Sequence, residues 1–208
     1  MPNVLIVEDQ KMIRSLLESY LEKEPGYRVV ASITGASGAL ALCAGIDLVL
    51  MDVQTEHREN GLTAAASIRR EHPGIKIIIV TSLVDYEVLA TAKAVGADSL
   101  WYKDAAEGTL MDVVRRTMAG EHIFPDAPPA VEIGTARSTE FTKTELRVLR
   151  YLVRGLPYGR IASEMGVEVT TVKYHVTNML RKTNLDNKLQ LALAVSGAKL
   201  VADLEPDE

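Results

Sequence analysis

The chain has 208 residues, enough for one large or two modest domains, with 47% apolar and 25% charged residues as in ordinary globular proteins. Its net charge is −5, and its single cysteine, Cys43, sits in an apolar run, which excludes an intramolecular disulfide or a cysteine-cluster metal site. No basic leader or long apolar segment is present, so a cytoplasmic location and no membrane partner are expected.

In chain order, Asn3 to Val7 reads as a first strand that runs into Glu8 and Asp9. Met12, Ile13, Leu16, Leu17, Tyr20 and Leu21 recur at helical spacing until Pro25-Gly26 stops them. Arg28 to Ile33 is a second strand, and Ser37 to Ala44 a short helix closed by Gly45. Leu48 to Met51 is a third strand, ending in Asp52 and followed by a polar loop from Val53 to Asn60. Leu62 to Glu71 is a helix, Ile75 to Val80 an apolar strand, Asp85 to Val95 a helix, Asp98 to Tyr102 a strand and Glu107 to Met118 a helix. Five strand–helix alternations with short connections predict an α/β fold, a five-stranded doubly wound parallel sheet of the flavodoxin-like order.

From Glu121 to Ser138 the prolines and glycines break any period, so 121–138 reads as a linker between a domain at 1–120 and one at 139–201, with an acidic tail at 202–208. Residues 1–126 hold 12 basic and 18 acidic side chains, whereas residues 139–192 hold 9 and 5. An acidic domain followed by a basic one suits a polyanionic partner for the second alone. The second domain predicts four helices. Thr142-Lys143-Thr144-Glu145 is a capping box that starts the first. Pro157 to Glu164, the Gly166 turn and Val169 to Thr183 then make a helix-turn-helix, and Lys188 to Leu200 a last helix.

Glu8, Asp9 and Asp52 fall at the ends of strands that neighbour one another in this fold. Their mutual repulsion calls for a cation, and oxygen donors without His or Cys select Mg²⁺. Thr81 and Lys103 end the fourth and fifth strands. A hydroxyl, an ammonium and a metal around one carboxylate suit a phosphorylated aspartate.

Val-Leu-Ile-Val-Glu8-Asp9, Leu-Val-Leu-Met-Asp52, Ile-Ile-Val-Thr81-Ser82 and Gly96-Ala97-Asp98-Ser99-Leu100-Trp101-Tyr102-Lys103 resemble the receiver domain of two-component response regulators. Residues 139–197 resemble the LuxR-type helix-turn-helix, and the whole chain the NarL/FixJ class. The resemblance implies Asp52 as phosphoacceptor and Thr81 and Lys103 as phosphoryl-stabilising residues. It implies Mg²⁺ on Asp9 and Asp52, on Glu8 through water and on the backbone carbonyl of Gln54. Lys173, Tyr174 and Thr177 are implied to face the DNA major groove, with His175 supporting the helix or meeting the DNA backbone and Thr171, Asn178, Arg181 and Lys182 as phosphate contacts. The last helix, through Leu189, Ala192 and Leu193, is implied to pair two domains on a two-fold promoter site. A histidine kinase would phosphorylate Asp52, promoting dimerisation and release of the DNA-reading helix, with no turnover enzyme expected.

Two departures stand out. The loop Thr55-Glu56-His57-Arg58-Glu59-Asn60-Gly61 lacks the family's proline and is one residue longer. The aromatic position three residues before Lys103 is Leu100, so the Thr–aromatic switch is not expected in its usual form, and Tyr102 is the candidate substitute. His57 reads as a solvated loop residue. Two other readings stay open: a receiver that acts without phosphate, and an Asp-nucleophile phosphatase, which would want an acid where Gln54 stands.

Overall fold

The computed structural model describes residues 1–103 and 108–201. The helix start expected at Glu107 and the tail 202–208 lie outside the described residues. Two compact units divide between Ala127 and Pro128. Among the described residues, no helix is long and apolar enough to cross a membrane.

In the first unit, β1 (Asn3–Val7), β2 (Arg28–Ile33), β3 (Leu48–Asp52), β4 (Lys76–Thr81) and β5 (Ser99–Tyr102) form one parallel sheet in the order β2-β1-β3-β4-β5. This is the flavodoxin-like order expected from the alternation. Helices α1 (Lys11–Lys23), α2 (Gly61–Glu71), α3 (Tyr86–Ala94) and α4 (Gly108–Met118) alternate with the strands. Every residue of β3 is buried, which explains its unbroken apolar run up to the terminal carboxylate. Val4, Ile6, Leu48, Leu50, Ile78, Val80 and Trp101 pack on one face with Leu17 and Leu21 of α1 and Leu110, Val113 and Val114 of α4. Trp101 is thus turned into this core, while Tyr102 is the register partner of Thr81 and Leu100 that of Ile79. Strand alternation sends the neighbours to opposite faces as expected.

The helix expected over 37–44 is instead two 3₁₀ turns, Ala36–Gly38 and Leu40–Leu42. Gly38 sits mid-segment, and a stretch this short cannot sustain an α-helical nucleus. Ala36, Ala39 and Cys43 still bury their small side chains, and burial pushes the Cys43 thiol up from its ordinary value.

Asp98 fastens the start of β5. Its carboxylate accepts from the Ile77 N–H at 2.9 Å and the Lys76 ammonium at 2.9 Å, and it pairs with Arg69. Burial pushes this carboxyl up, but the amide and the two cations outweigh it and hold it below the ordinary value. Asp98→Ala strands these donors and is expected to cost about 2–3 kcal/mol, read as a lower urea midpoint at pH 7. Because the folded-state pKa is depressed, this contribution is full above the unfolded value of 3.8 and is lost as pH falls further. The gap to wild type should therefore close below pH of about 4. A gap independent of pH would contradict the assignment.

The linker segment is more ordered than its composition suggests. Ile123 lies alongside β5, its carbonyl accepting from the Leu100 N–H at 2.9 Å. In the second unit, β6 (Glu132–Ile133) and β7 (Ala136–Arg137) form an antiparallel hairpin, too short to leave a periodic signal. The unit continues with α5 (Lys143–Val153), α6 (Tyr158–Met165), α7 (Val169–Thr183) and α8 (Lys188–Gly197). The capping box at α5 is present, with the Glu145 N–H donating to Thr142 Oγ1 at 3.2 Å and the Thr142 N–H to Glu145 Oε2 at 2.7 Å. The hairpin covers the end of α7: Thr135 donates its N–H to the Thr183 carbonyl at 3.0 Å and its hydroxyl to the Lys182 carbonyl at 3.0 Å.

Candidate functional site

The acids expected to converge do so. One oxygen each of Glu8, Asp9 and Asp52 lie within 4.8 Å of one another. Parallel pairing of β1 with β3 sets Val7 beside Met51, so the acids that follow each strand emerge side by side. The Lys103 ammonium bridges two of them, 2.6 Å from Glu8 Oε2 and 2.7 Å from Asp52 Oδ2. The other Asp52 oxygen accepts from the Val53 N–H at 2.7 Å. Arg14 secures the turn by donating to the Glu8 carbonyl at 2.7 Å.

Asp52 is 4% exposed, and its environment sets its acidity. Burial pushes its carboxyl up, Lys103 pulls it back, and Glu8 pushes it up again, leaving a value of about 6. Burial lowers the Lys103 ammonium, but the two carboxylates outweigh burial and hold it above its ordinary value. Three carboxylates facing one ammonium leave uncompensated negative charge. Asp9 Oδ1 is buried with no hydrogen-bond partner. Such a donor set fits a hard divalent cation. Thr81, fully buried, ends β4 beside Lys103, whose N–H donates to the Thr81 carbonyl at 2.9 Å.

The loop after Asp52 was legible only as a departure. It closes on itself through the Thr55 N–H to the Glu59 carbonyl at 3.2 Å and the Gly61 N–H to the Val53 carbonyl at 2.9 Å, with Gln54 bridged to Asn60. These bonds run through the neighbours of Gln54 and not through its own carbonyl. A Cβ built on Gly61 would lie 1.8 Å from the Asp52 carbonyl oxygen, so the chain passes close to the backbone of Asp52. His57 is 81% exposed in its side chain, as a solvated loop residue should be.

In the second unit, α6, the left-handed Gly166 (φ 66°) and α7 form the expected helix-turn-helix. Val172, Val176, Met179 and Thr183 are buried along one face of α7. Of the seven DNA-contact candidates, Lys173, Tyr174, Thr177 and Arg181 are exposed on the other face, and Thr171 and Asn178 are half-buried. Tyr174 meets the His175 ring edge-on, with centroids 5.6 Å apart. Arg181 donates to the Asn178 side chain. Lys182 is engaged inside its own domain, with its ammonium 2.8 and 3.0 Å from the Glu145 oxygens and 2.9 Å from the Glu140 carbonyl. Burial raises the Glu145 carboxyl, but Lys182 and the Thr142 amide hold it below the ordinary value. That pair was not foreseen, because its members lie on different helices 37 residues apart. On α8, Leu189 and Leu193 are 65% and 64% exposed and Ala192 is half-buried, so among the described residues this face is left largely uncovered by its own domain core.

Residues 4–115 match the response regulator receiver domain. Residues 139–195 match the LuxR family of bacterial regulatory proteins. The response regulator protein VraR of Staphylococcus aureus is 30% identical over 199 residues, covering 91% of this chain and 94% of VraR. A LuxR-family two-component response regulator from Aurantimonas shares 25% identity at a TM-score of 0.55, over 58% of this chain and 87% of that one. A structure of RcsB dimers bound to DNA shares the fold at a TM-score of 0.60, with 18% identity over 94% of this chain and 98% of that one.

Proposed function

Because the chain belongs to the two-component response regulators, with a receiver domain and a LuxR-type DNA-binding domain, we propose that it is a transcription regulator switched by phosphorylation of Asp52. The observation that carries the proposal is the cluster of the buried carboxylates of Glu8 and Asp52 and the partly exposed Asp9 against Lys103, with one oxygen of Asp9 left over.

Asp52 is the nucleophile. Its carboxylate oxygen forms a bond to the phosphorus of an activated donor, a phosphohistidine of a histidine kinase or a small acyl phosphate. The donor's bond to phosphorus breaks, and its electron pair leaves with it. The Val53 N–H, bonded to Asp52 Oδ1, orients the carboxylate for this attack. Lys103, already between Glu8 and Asp52, is in place to pair with a phosphoryl oxygen, and the Thr81 hydroxyl is the further donor. Glu8, Asp9, Asp52 and the Gln54 carbonyl are the residues that would hold Mg²⁺, which neutralises phosphoryl charge when bound. The chemistry is one transfer without turnover.

The output is DNA binding through α7. Lys173, Tyr174 and Thr177 read the major groove, with Thr171, Asn178 and Arg181 on phosphates. Lys182 joins them only by giving up its bridge to Glu145. Phosphorylation releases α7 for binding and favours a homodimer through Leu189, Ala192 and Leu193 on a two-fold promoter site. The place of action is the cytoplasm. The test is a binding isotherm on promoter DNA with and without phosphodonor: affinity should rise with donor in wild type and stay unchanged in Asp52→Ala. Retention of the response by Asp52→Ala would refute the switch. Lys173→Ala is expected to weaken specific binding by about 1–3 kcal/mol. Equal affinity for the two proteins would remove Lys173 from the groove.

A further inference from the structure

The loop between β3 and α2 contains backbone that is unfavourable on its own. His57 and Arg58 both have positive φ, 60° and 61°, although neither is glycine. Two consecutive left-handed residues persist only where surrounding bonds fix them. Those bonds come from the segment that follows β2. Glu59 accepts from the Ser37 N–H at 2.8 Å and from the Ser37 hydroxyl at 2.7 Å. Thr55, itself buried, accepts from the Ala36 N–H at 3.1 Å and donates its hydroxyl to the Glu59 carbonyl at 3.2 Å. The Glu56 N–H donates to the Thr34 carbonyl at 3.1 Å, and the Glu56 carboxylate accepts from the Thr34 hydroxyl. The loop is stapled from 55 to 59 along the segment 34–37. The N–H and the hydroxyl of Ser37 hold the Glu59 carboxyl below its ordinary value, so it is an anion at neutral pH.

Gln54, which follows Val53, adjoins this staple on the side of Asp52. In the reading above, its backbone carbonyl is a cation donor. A backbone donor has no side-chain torsions with which to adjust, so its position is that of the loop. The proline expected in this loop is absent, and side-chain bonds to the neighbouring segment are in its place. We propose that Glu59 is a positioning residue for the cation site: by clamping Ser37 it holds the loop, and with it the Gln54 carbonyl, in the arrangement that completes the acidic donor set. This inference rests on the phosphorylation reading and on the cation site within it.

The test is calorimetric titration of Mg²⁺ into the full chain for wild type, Glu59→Ala, Glu59→Gln and Asp9→Asn. Glu59→Ala should bind Mg²⁺ about tenfold more weakly, the low end for residues that support metal ligands. Glu59→Gln keeps an acceptor for the Ser37 N–H and should stay within about twofold of wild type on that account. A purely structural role would lower the melting temperature of Glu59→Ala and leave its Mg²⁺ affinity unchanged, and that result would overturn the inference alone. Absence of Mg²⁺ uptake by wild type, or wild-type affinity in Asp9→Asn, would overturn the cation site and the inference with it. Should Glu59→Ala not fold, Ser37→Ala, which deletes only the hydroxyl donor, carries the test with an expected loss of about threefold.

Discussion

Gly61→Ala is expected to disable the proposed phosphoacceptor site at Asp52 without touching any of its side chains. The added Cβ would lie 1.8 Å from the Asp52 carbonyl oxygen and 2.9 Å from its carbonyl carbon. Neither is the end of a flexible side chain, so the backbone must move. The Gly61 N–H is also fixed, donating to the Val53 carbonyl at 2.9 Å. The strain is divided between β3 and the start of α2. A loss of about 2–3 kcal/mol in stability is expected, as for overpacking in a close-packed site. A displaced Asp52 should also accept the phosphoryl group more slowly by at least about tenfold, since small misplacements of reacting groups carry large rate costs. Urea denaturation and the rate of adduct formation by mass spectrometry check the two parts. An unchanged midpoint together with an unchanged rate would mean that the approach of Gly61 to Asp52 is not as close as described.

Lys103→Met is expected to have a comparable effect, and one that depends on pH. Among the described residues, the ammonium is the one positive group bonded to both Glu8 and Asp52, at 2.6 and 2.7 Å. Removing one partner of a buried pair leaves uncompensated charge and costs about 3 kcal/mol. In wild type the Asp52 carboxyl is already pushed up to about 6, from an ordinary 3.8. Without Lys103, burial and Glu8 act on it with less opposition and push it higher. A carboxyl whose folded-state pKa is raised loses stability as pH rises from its unfolded value through its folded one. The variant should therefore fall further below wild type at pH 8 than at pH 5, where Asp52 can be neutral. Urea midpoints for both proteins at the two pH values decide it. An equal deficit at both would show that Lys103 does not set the charge balance of the site.

The first domain was legible because its signals are local. An apolar run ending in a carboxylate, as in Leu48 to Asp52, is what a strand buried on both faces must look like. The strand order then brings Glu8, Asp9 and Asp52 together without further information, since β1 and β3 are neighbours, and Lys103 reaches across from the end of β5. The helix-turn-helix was legible in the same way, from the Gly166 turn and the spacing of Val172, Val176 and Met179. Interactions between distant segments were not legible. Glu59 with Ser37 and Lys182 with Glu145 are ordinary polar residues in sequence, and only the fold pairs them. The segment 37–44 was misread because alanine and leucine suggest a helix, whereas Gly38 and the short length leave only 3₁₀ turns. The hairpin at 132–137 was hidden by its size: two-residue strands have no period to detect.

Phosphoryl transfer to Asp52 is the step on which the proposed switch depends. Its most direct test is intact mass after incubation with acetyl phosphate and Mg²⁺, on wild type and Asp52→Ala, with size exclusion on the same samples. A single phosphoryl adduct is expected on wild type alone, accompanied by a shift towards dimer. Wild type that remains unmodified, or an adduct that persists in Asp52→Ala, would contradict it and leave a regulator that works without phosphate at Asp52.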